Sequence, residues 1–351
     1  MRHESEDKVS WIIFIIIITV FLISVFFLTI FPDLHARSAE YQKKMTGKST
    51  WSVISLFDDK NDGNNQIKMK LPHNVTSQNI TSKSDIARSK VSITIPGADA
   101  AYPQDYKMIG STGRMKDILF TYSSTGDTFE FCFNKFYEAK LYEKNGWLCI
   151  DFKRPNEIYK KIIIIDASCG EGVAQKSDDS QYERDIALDI VKRIKTRFSE
   201  STPKGTKVYY TREDNMIMSP EERAKICNSI RADIFLSVAL NSTSSGRTSS
   251  MQGAAAEYLT TDDTGQGKIF ASECLDGLLR NLGCKNRGLI PGDEEAILKE
   301  KHTVSALVRV GYLSNYDERS KLITSEYQEA AAEGLYQAIL KQLDQQQMDQ
   351  Q

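Results

Sequence analysis

From residue 161 onward, short apolar runs alternate with stretches in which apolar positions return every three or four residues. This is the pattern of strands alternating with amphipathic helices in an α/β layer fold. Residues 162–165 are four consecutive isoleucines, an unbroken apolar strand of the kind covered on both faces by helices. Tyr182, Ile186, Ile190, Ile194 and Phe198 recur every four residues and predict a helix with Glu183 near its start. Strands are expected over 207–212, 234–240, 254–259 and 304–310. A helix is expected over 220–230, with Ser219 as N-cap and Pro220 at its first position. Ile269, Leu275, Leu278, Leu279 and Leu282 line a further helix, and 327–343 forms the last. Residues 344–351, rich in Gln and Asp, read as a disordered tail.

Ahead of this region the period changes to two. Residues 91–95, 117–122, 128–133 and 147–152 read as short strands, with turn signals at 124–127 and at Lys144-Asn145-Gly146, the latter favouring a type I′ hairpin. Phe129, Phe131 and Phe133 share one face and are expected in the core of a small antiparallel β domain spanning 91–158. Residues 32–90 are rich in Ser, Asn, Lys, Asp and Thr and are expected to form a flexible linker. The glycosylation-type matches at Asn74 and Asn79 fall in this Ser/Thr/Asn-rich stretch, where chance matches are common.

Residues 11–31 are almost wholly apolar and carry no charge, matching the roughly 20 residues a helix needs to cross a bilayer. The run is too long for the apolar core of a cleaved signal peptide, so a transmembrane signal anchor behind a short tail (1–10) is expected. Arg2 and Lys8 precede it and Arg37, Lys43, Lys44 and Lys48 follow it, so charge alone does not give a positive-inside orientation. The net charge of −2 offers no basic face for nucleic acid, which is excluded as a partner. Six cysteines without a CxxC pair exclude a zinc ribbon or a thioredoxin-type motif. Cys227 and Cys274 sit at apolar helical positions and read as core. Cys132 and Cys149 lie in strands and are candidates for pairing outside the cell.

Four stretches carry the candidate chemistry: Ile162-Ile-Ile-Ile-Asp-Ala-Ser-Cys-Gly170, Tyr182-Glu-Arg-Asp-Ile-Ala-Leu188, Phe235-Leu-Ser-Val-Ala-Leu-Asn241 and Leu307-Val-Arg-Val-Gly-Tyr-Leu-Ser-Asn315. In order and context they resemble the zinc-dependent N-acetylmuramoyl-L-alanine amidases, which cut between the glycan and the stem peptide of peptidoglycan. Thr211-Arg-Glu-Asp214, Arg223 with Asn228, and Asn286-Arg-Gly288 extend the resemblance over most of 161–343. It implies an amidase-like mixed sheet flanked by helices over 159–343. It also implies an extracytoplasmic location and peptidoglycan, or a cell-wall protein, as partner.

The resemblance also places the zinc ligands at Cys169, Glu183 and Ala239 and the catalytic carboxylate at Arg309. Only Glu183 is the family's residue there. Ala239 has no donor atom, and Arg309 is a fixed cation that cannot act as a base at neutral pH. A catalytic zinc needs three protein ligands and an open position for water, so no cofactor is expected here, although active relatives use zinc. Cys169 reads as a buried thiol and His302 as a loop residue. Asn241, Arg287 and Asn315 are the candidate ligand-binding positions. Two readings follow. One is a non-catalytic, membrane-anchored relative that binds wall material or a partner; the other is a divergent peptidoglycan hydrolase. In either, Arg309 is expected to take the metal's electrostatic place by pairing with Glu183.

Overall fold

The computed structural model describes residues 50–59, 66–72, 75–97, 102–106, 108–123, 126–169, 178–243, 248–299 and 303–348. The apolar run at 11–31 and His302 lie outside the described residues. Among the described residues, no helix is long and apolar enough to cross a membrane.

The first half is a β-sandwich. Its strands are β1 (Thr50–Ser52), β2 (Phe57–Asp59), β3 (Gln66–Lys70), β4 (Thr81–Asp85), β5 (Lys90–Ile95), β6 (Met108–Gly110), β7 (Met115–Thr121), β8 (Asp127–Phe133), β9 (Glu138–Lys144) and β10 (Trp147–Lys153), with a short helix α1 (Tyr102–Asp105) before β6. They form two five-stranded sheets, ordered β1-β7-β8-β5-β4 and β2-β6-β3-β10-β9. Phe129, Phe131 and Phe133 point into the core between the sheets, as their alternation requires. Asn145 and Gly146 both adopt positive φ in the β9–β10 hairpin, the geometry that Asn-Gly favours.

The expected linker over 32–90 is corrected from Thr50 onward, where β1 to β4 complete the two sheets. In Gln66-Ile-Lys-Met-Lys70 only Ile67 and Met69 are buried, so two apolar residues among polar ones carry the strand. The edge strand β4 buries none of its five residues and gives no apolar signal. Cys132 and Cys149, candidates for pairing, are free thiols on different sheets.

The second half contains β11 (Lys161–Ala167), α2 (Asp178–Glu200), β12 (Thr206–Tyr210), α3 (Pro220–Ile230), β13 (Ile234–Asn241), β14 (Ala254–Tyr258), α4 (Gln266–Leu282), β15 (Asn286–Pro291), β16 (Val304–Tyr312), α5 (Tyr316–Leu322) and α6 (Ser325–Met348). The six-stranded sheet runs β12-β11-β13-β16-β14-β15. The first four strands are parallel, and β14 is antiparallel to β16. All seven residues of β11 are buried, because helices cover both faces. Ile186, Ile190, Ile194 and Phe198 of α2 pack with α4 and α6 on one face. On the other, α3 packs against Ile164, Phe235 and Ala239. Ser219 caps α3 by accepting from the Glu222 amide, with Pro220 behind it. Tyr182 and Ile269, expected on apolar helix faces, are each 44% exposed. Helix α6 continues to Met348, so the tail expected to be disordered from 344 is helical for five more residues.

The two halves share an interface. Glu138 of β9 accepts from Ser84 and from Tyr209 of β12, both at 2.7 Å, and the Phe136 and Tyr209 rings meet edge to face. The Arg154 guanidinium donates to the Phe136 and Ser229 carbonyls across the same junction.

Candidate functional site

Parallel pairing brings the ends of β11, β13 and β16 together, with the start of α2 beside them. Glu183, on the first turns of α2, is fully buried. Its Oε1 accepts from the Ser168 hydroxyl at 2.9 Å and from the Leu240 amide at 3.3 Å, tying the helix to the ends of β11 and β13. Arg212, 2% exposed, donates to the carbonyls of Ala167 (2.9 Å), Ser168 (2.7 Å), Arg184 (2.7 Å) and Asp214 (3.1 Å). Burial lowers its pKa from the ordinary arginine value, yet guanidinium stays cationic. These bonds fix the turn that presents Cys169, whose thiol donates to the Met216 carbonyl at 3.7 Å.

Beneath the turn lies a second buried set. Asp166 accepts from Thr211 at 2.6 Å and from Ser237 at 2.7 Å, and it pairs with Arg223 of α3. Hydroxyls and a guanidinium thereby compensate a carboxylate with no exposure.

Ala239 and Arg309 are direct partners across β13 and β16, and Ala255 faces Arg309 from β14. Two alanines flank the arginine and leave room for its long side chain. Its Nε donates to Glu257 at 2.5 Å, Nη2 to Glu295 at 2.9 Å and Nη1 to the Leu240 carbonyl at 3.4 Å. The expected Arg309–Glu183 pair is therefore corrected. Two other carboxylates capture the guanidinium, and Glu183 reaches it only through space and through Leu240, whose amide and carbonyl bond to the two side chains. Burial opposes the Arg309 charge, but Glu257, Glu295 and Glu183 outweigh it and raise its pKa. Glu257 is raised as well: burial dominates, Arg309 acts against it and Glu295 adds to it.

The model for the family described as Amidase_3, N-acetylmuramoyl-L-alanine amidase, matches residues 163–341, half of the chain. The chain belongs to that family. Among its relatives, N-acetylmuramoyl-L-alanine amidase LytC of Bacillus subtilis is 28% identical over 52% of this chain and 35% of its own length. The germination-specific N-acetylmuramoyl-L-alanine amidase of the same organism is 26% identical over 52% of this chain and 79% of its own. This chain thus spans about a third of LytC. A solved structure of the Clostridioides difficile CwlD amidase in complex with the GerS lipoprotein is 28% identical, covering 53% of this chain and 99% of that one, with a TM-score of 0.46.

The amidase-family zinc set does not fit these residues. Ala239 supplies no donor and packs in one cluster with Ile297, Leu298 and Leu307, and a cation stands beside it at Arg309. Among the described residues, no three His, Cys, Asp or Glu side chains converge as a metal set. The candidate ligand-binding positions gather around Tyr312 at the end of β16: Asn241 is its cross-strand partner, the Asn315 backbone amide donates to its carbonyl, and Arg287 lies over its ring. Asn315 caps α5 by accepting from the Glu318 amide and donates to the Ser249 carbonyl. The Asn241 carbonyl accepts from the Leu313 amide. Arg287 lies over the Tyr312 ring at 5.9 Å and donates to the Met251 sulfur.

Sequence reasoning missed Glu257 and Glu295. Glu257 had a usable signal, a lone acid after three alanines in an expected strand. Glu295 sits in an acidic loop with nothing to set it apart.

Proposed function

We propose that this amidase-family protein acts at the peptidoglycan wall as a non-catalytic member, holding wall material or a wall-associated protein rather than cutting it. The observation that carries this reading is Arg309. The position where the family resemblance puts the general base holds a guanidinium locked by Glu257 and Glu295, so no carboxylate there is free to move a proton. The apolar packing around Ala239 supports it from the ligand side. Binding is supported by large apolar residues at the same end of the sheet. Ile217, after β12, is 71% exposed; Tyr316, after β16, is 74% exposed; Tyr182 precedes Glu183. In this reading residues 11–31 anchor the chain in the membrane with both domains on the wall side.

The test is zinc analysis of the purified chain after dialysis against a weak chelator, together with muropeptide turnover. We expect far less than one zinc per chain and no release of stem peptide. Near-stoichiometric zinc with peptide release would establish the divergent hydrolase instead. Regaining zinc should need Cys169→His and Ala239→His to complete the ligand sphere with Glu183, and Arg309→Glu to remove the cation beside it.

A further inference from the structure

The outer face of the second sandwich sheet carries cations that the fold does not neutralise. Strand alternation puts Lys68 and Lys70 of β3, Lys140 and Lys144 of β9 and Lys153 of β10 on that face. Among the described residues none of the five has an ion-pair partner, whereas Lys195 and Lys207 in the α/β domain pair with Glu213 and Glu138. The register sets Trp147 between Lys70 and Lys144, and Cys149 between Lys68 and Tyr142. The Lys70 ammonium lies 4.5 Å from the centre of the Trp147 ring. Three carboxylates stand on or beside this face. Asp151, opposite Lys140, accepts from Gln66, which also donates to the Tyr142 hydroxyl, both at 2.6 Å. Glu138, opposite Lys153, is held by Ser84, Tyr209 and Lys207, and Glu157 lies at the cavity edge. A cavity of about 800 Å³ lies over this face, lined by Lys68, Tyr142, Lys144, Trp147 and Lys153 among others.

Clustered like charges on one sheet face repel one another and lower their energy when an anion binds. Every cation here is a lysine. A compact ammonium binds phosphate oxygens as a point charge and imposes no bidentate geometry, which suits the single, delocalised charge of a phosphodiester. A half-buried indole with an adjacent phenol and amide offers a stacking surface and hydrogen bonds, the usual needs of a sugar ring. The geometry points to a binding site for a phosphodiester-linked glycan on this face, separate from the amidase site and independent of whether that site is catalytic. A bilayer surface fits less well, because the ring lies half-buried under Lys70 in a hollow and does not project outward to insert.

The test uses the full chain in non-ionic detergent, with glucosylated poly(glycerol phosphate) as probe. The wild type should bind it more tightly than the unsubstituted polymer. The Lys68→Gln, Lys70→Gln, Lys144→Gln triple variant should lose at least tenfold in affinity, as should Trp147→Ala with an unchanged thermal midpoint. A control carrying Lys192→Gln, Lys225→Gln and Lys321→Gln should bind as the wild type does. The lysine changes are at solvent-facing positions and keep the test decisive if Trp147→Ala fails to fold. Equal binding by the triple variant and the wild type would overturn the proposal. So would no retention of either polymer, or preferential binding to phosphatidylglycerol vesicles.

Discussion

Arg223 and Arg309 are both buried in the α/β domain, and they are held in opposite ways. Arg223 pairs with Asp166, a carboxylate whose remaining lone pairs accept from Thr211 and Ser237. The Asp166 charge is balanced by one guanidinium and two hydroxyls, and the set joins β11, β13 and α3 under the sheet. Arg309 meets two carboxylates, Glu257 and Glu295, with Glu183 near enough to add a third negative charge. The balanced set is what a scaffold requires, because a buried charge is tolerated only when fully compensated. The unbalanced set sits where the family resemblance puts the chemistry. It gathers three negative charges around one guanidinium at the end of the sheet.

The largest effect is expected from breaking the balanced set. Arg223→Met leaves Asp166 with two hydroxyls and no cation, at a position with no solvent exposure. Loss of one partner of so buried a pair costs about 3–5 kcal/mol, read as a lower urea midpoint with an unchanged slope. A loss below about 1 kcal/mol would mean that the two arginines are not distinguished by charge balance.

Arg309→Met should cost less, roughly 1–3 kcal/mol, because Glu295 is 38% exposed and can turn to water while Glu257 stays buried. Adding Glu257→Gln should recover part of the loss, since the remaining uncompensated charge is then gone. No recovery in the double variant would show that the guanidinium acts mainly by packing between Ala239 and Ala255.

The difference between the two sets was only partly legible in the sequence. Strands buried on both faces, such as Ile162–Ile165 within β11, announce themselves by composition, and Ser219-Pro220 marks a helix start through local chemistry. The four motifs located the site, and strand register then placed Ala239 opposite Arg309. Which acid takes the arginine was not legible. Glu183, Glu257 and Glu295 come from α2, β14 and a loop, and the choice among them is made by tertiary geometry. The early strands were hidden for a different reason. A strand with one solvated face, like β3, or at a sheet edge, like β4, needs few apolar residues, so both resemble a tether in composition.

The smallest effect is one of pH, and it separates the two sets without disturbing packing. Burial holds the Glu257 carboxyl above its ordinary pKa, with Arg309 opposing and Glu295 reinforcing the rise. A group raised in the folded state binds its proton more tightly there than in the unfolded chain. Its contribution to stability is therefore fully present below the unfolded glutamate value and is lost as pH rises through the folded value. Other acids act in the opposite sense. Glu329 and Glu333, lowered chiefly by hydrogen bonds from Arg197, lose stability as pH falls, so the wild-type profile alone is a mixture. The difference between wild type and Glu257→Gln isolates the term. Urea midpoints measured from just below the ordinary glutamate pKa up to neutrality should show the wild type losing stability relative to Glu257→Gln as pH rises. In an Arg309→Met background the same difference should grow, because the opposing cation is gone and only burial and Glu295 remain. Parallel profiles in both backgrounds would mean that Glu257 titrates alike in the folded and unfolded chain, and the charge imbalance around Arg309 would then have no energetic consequence.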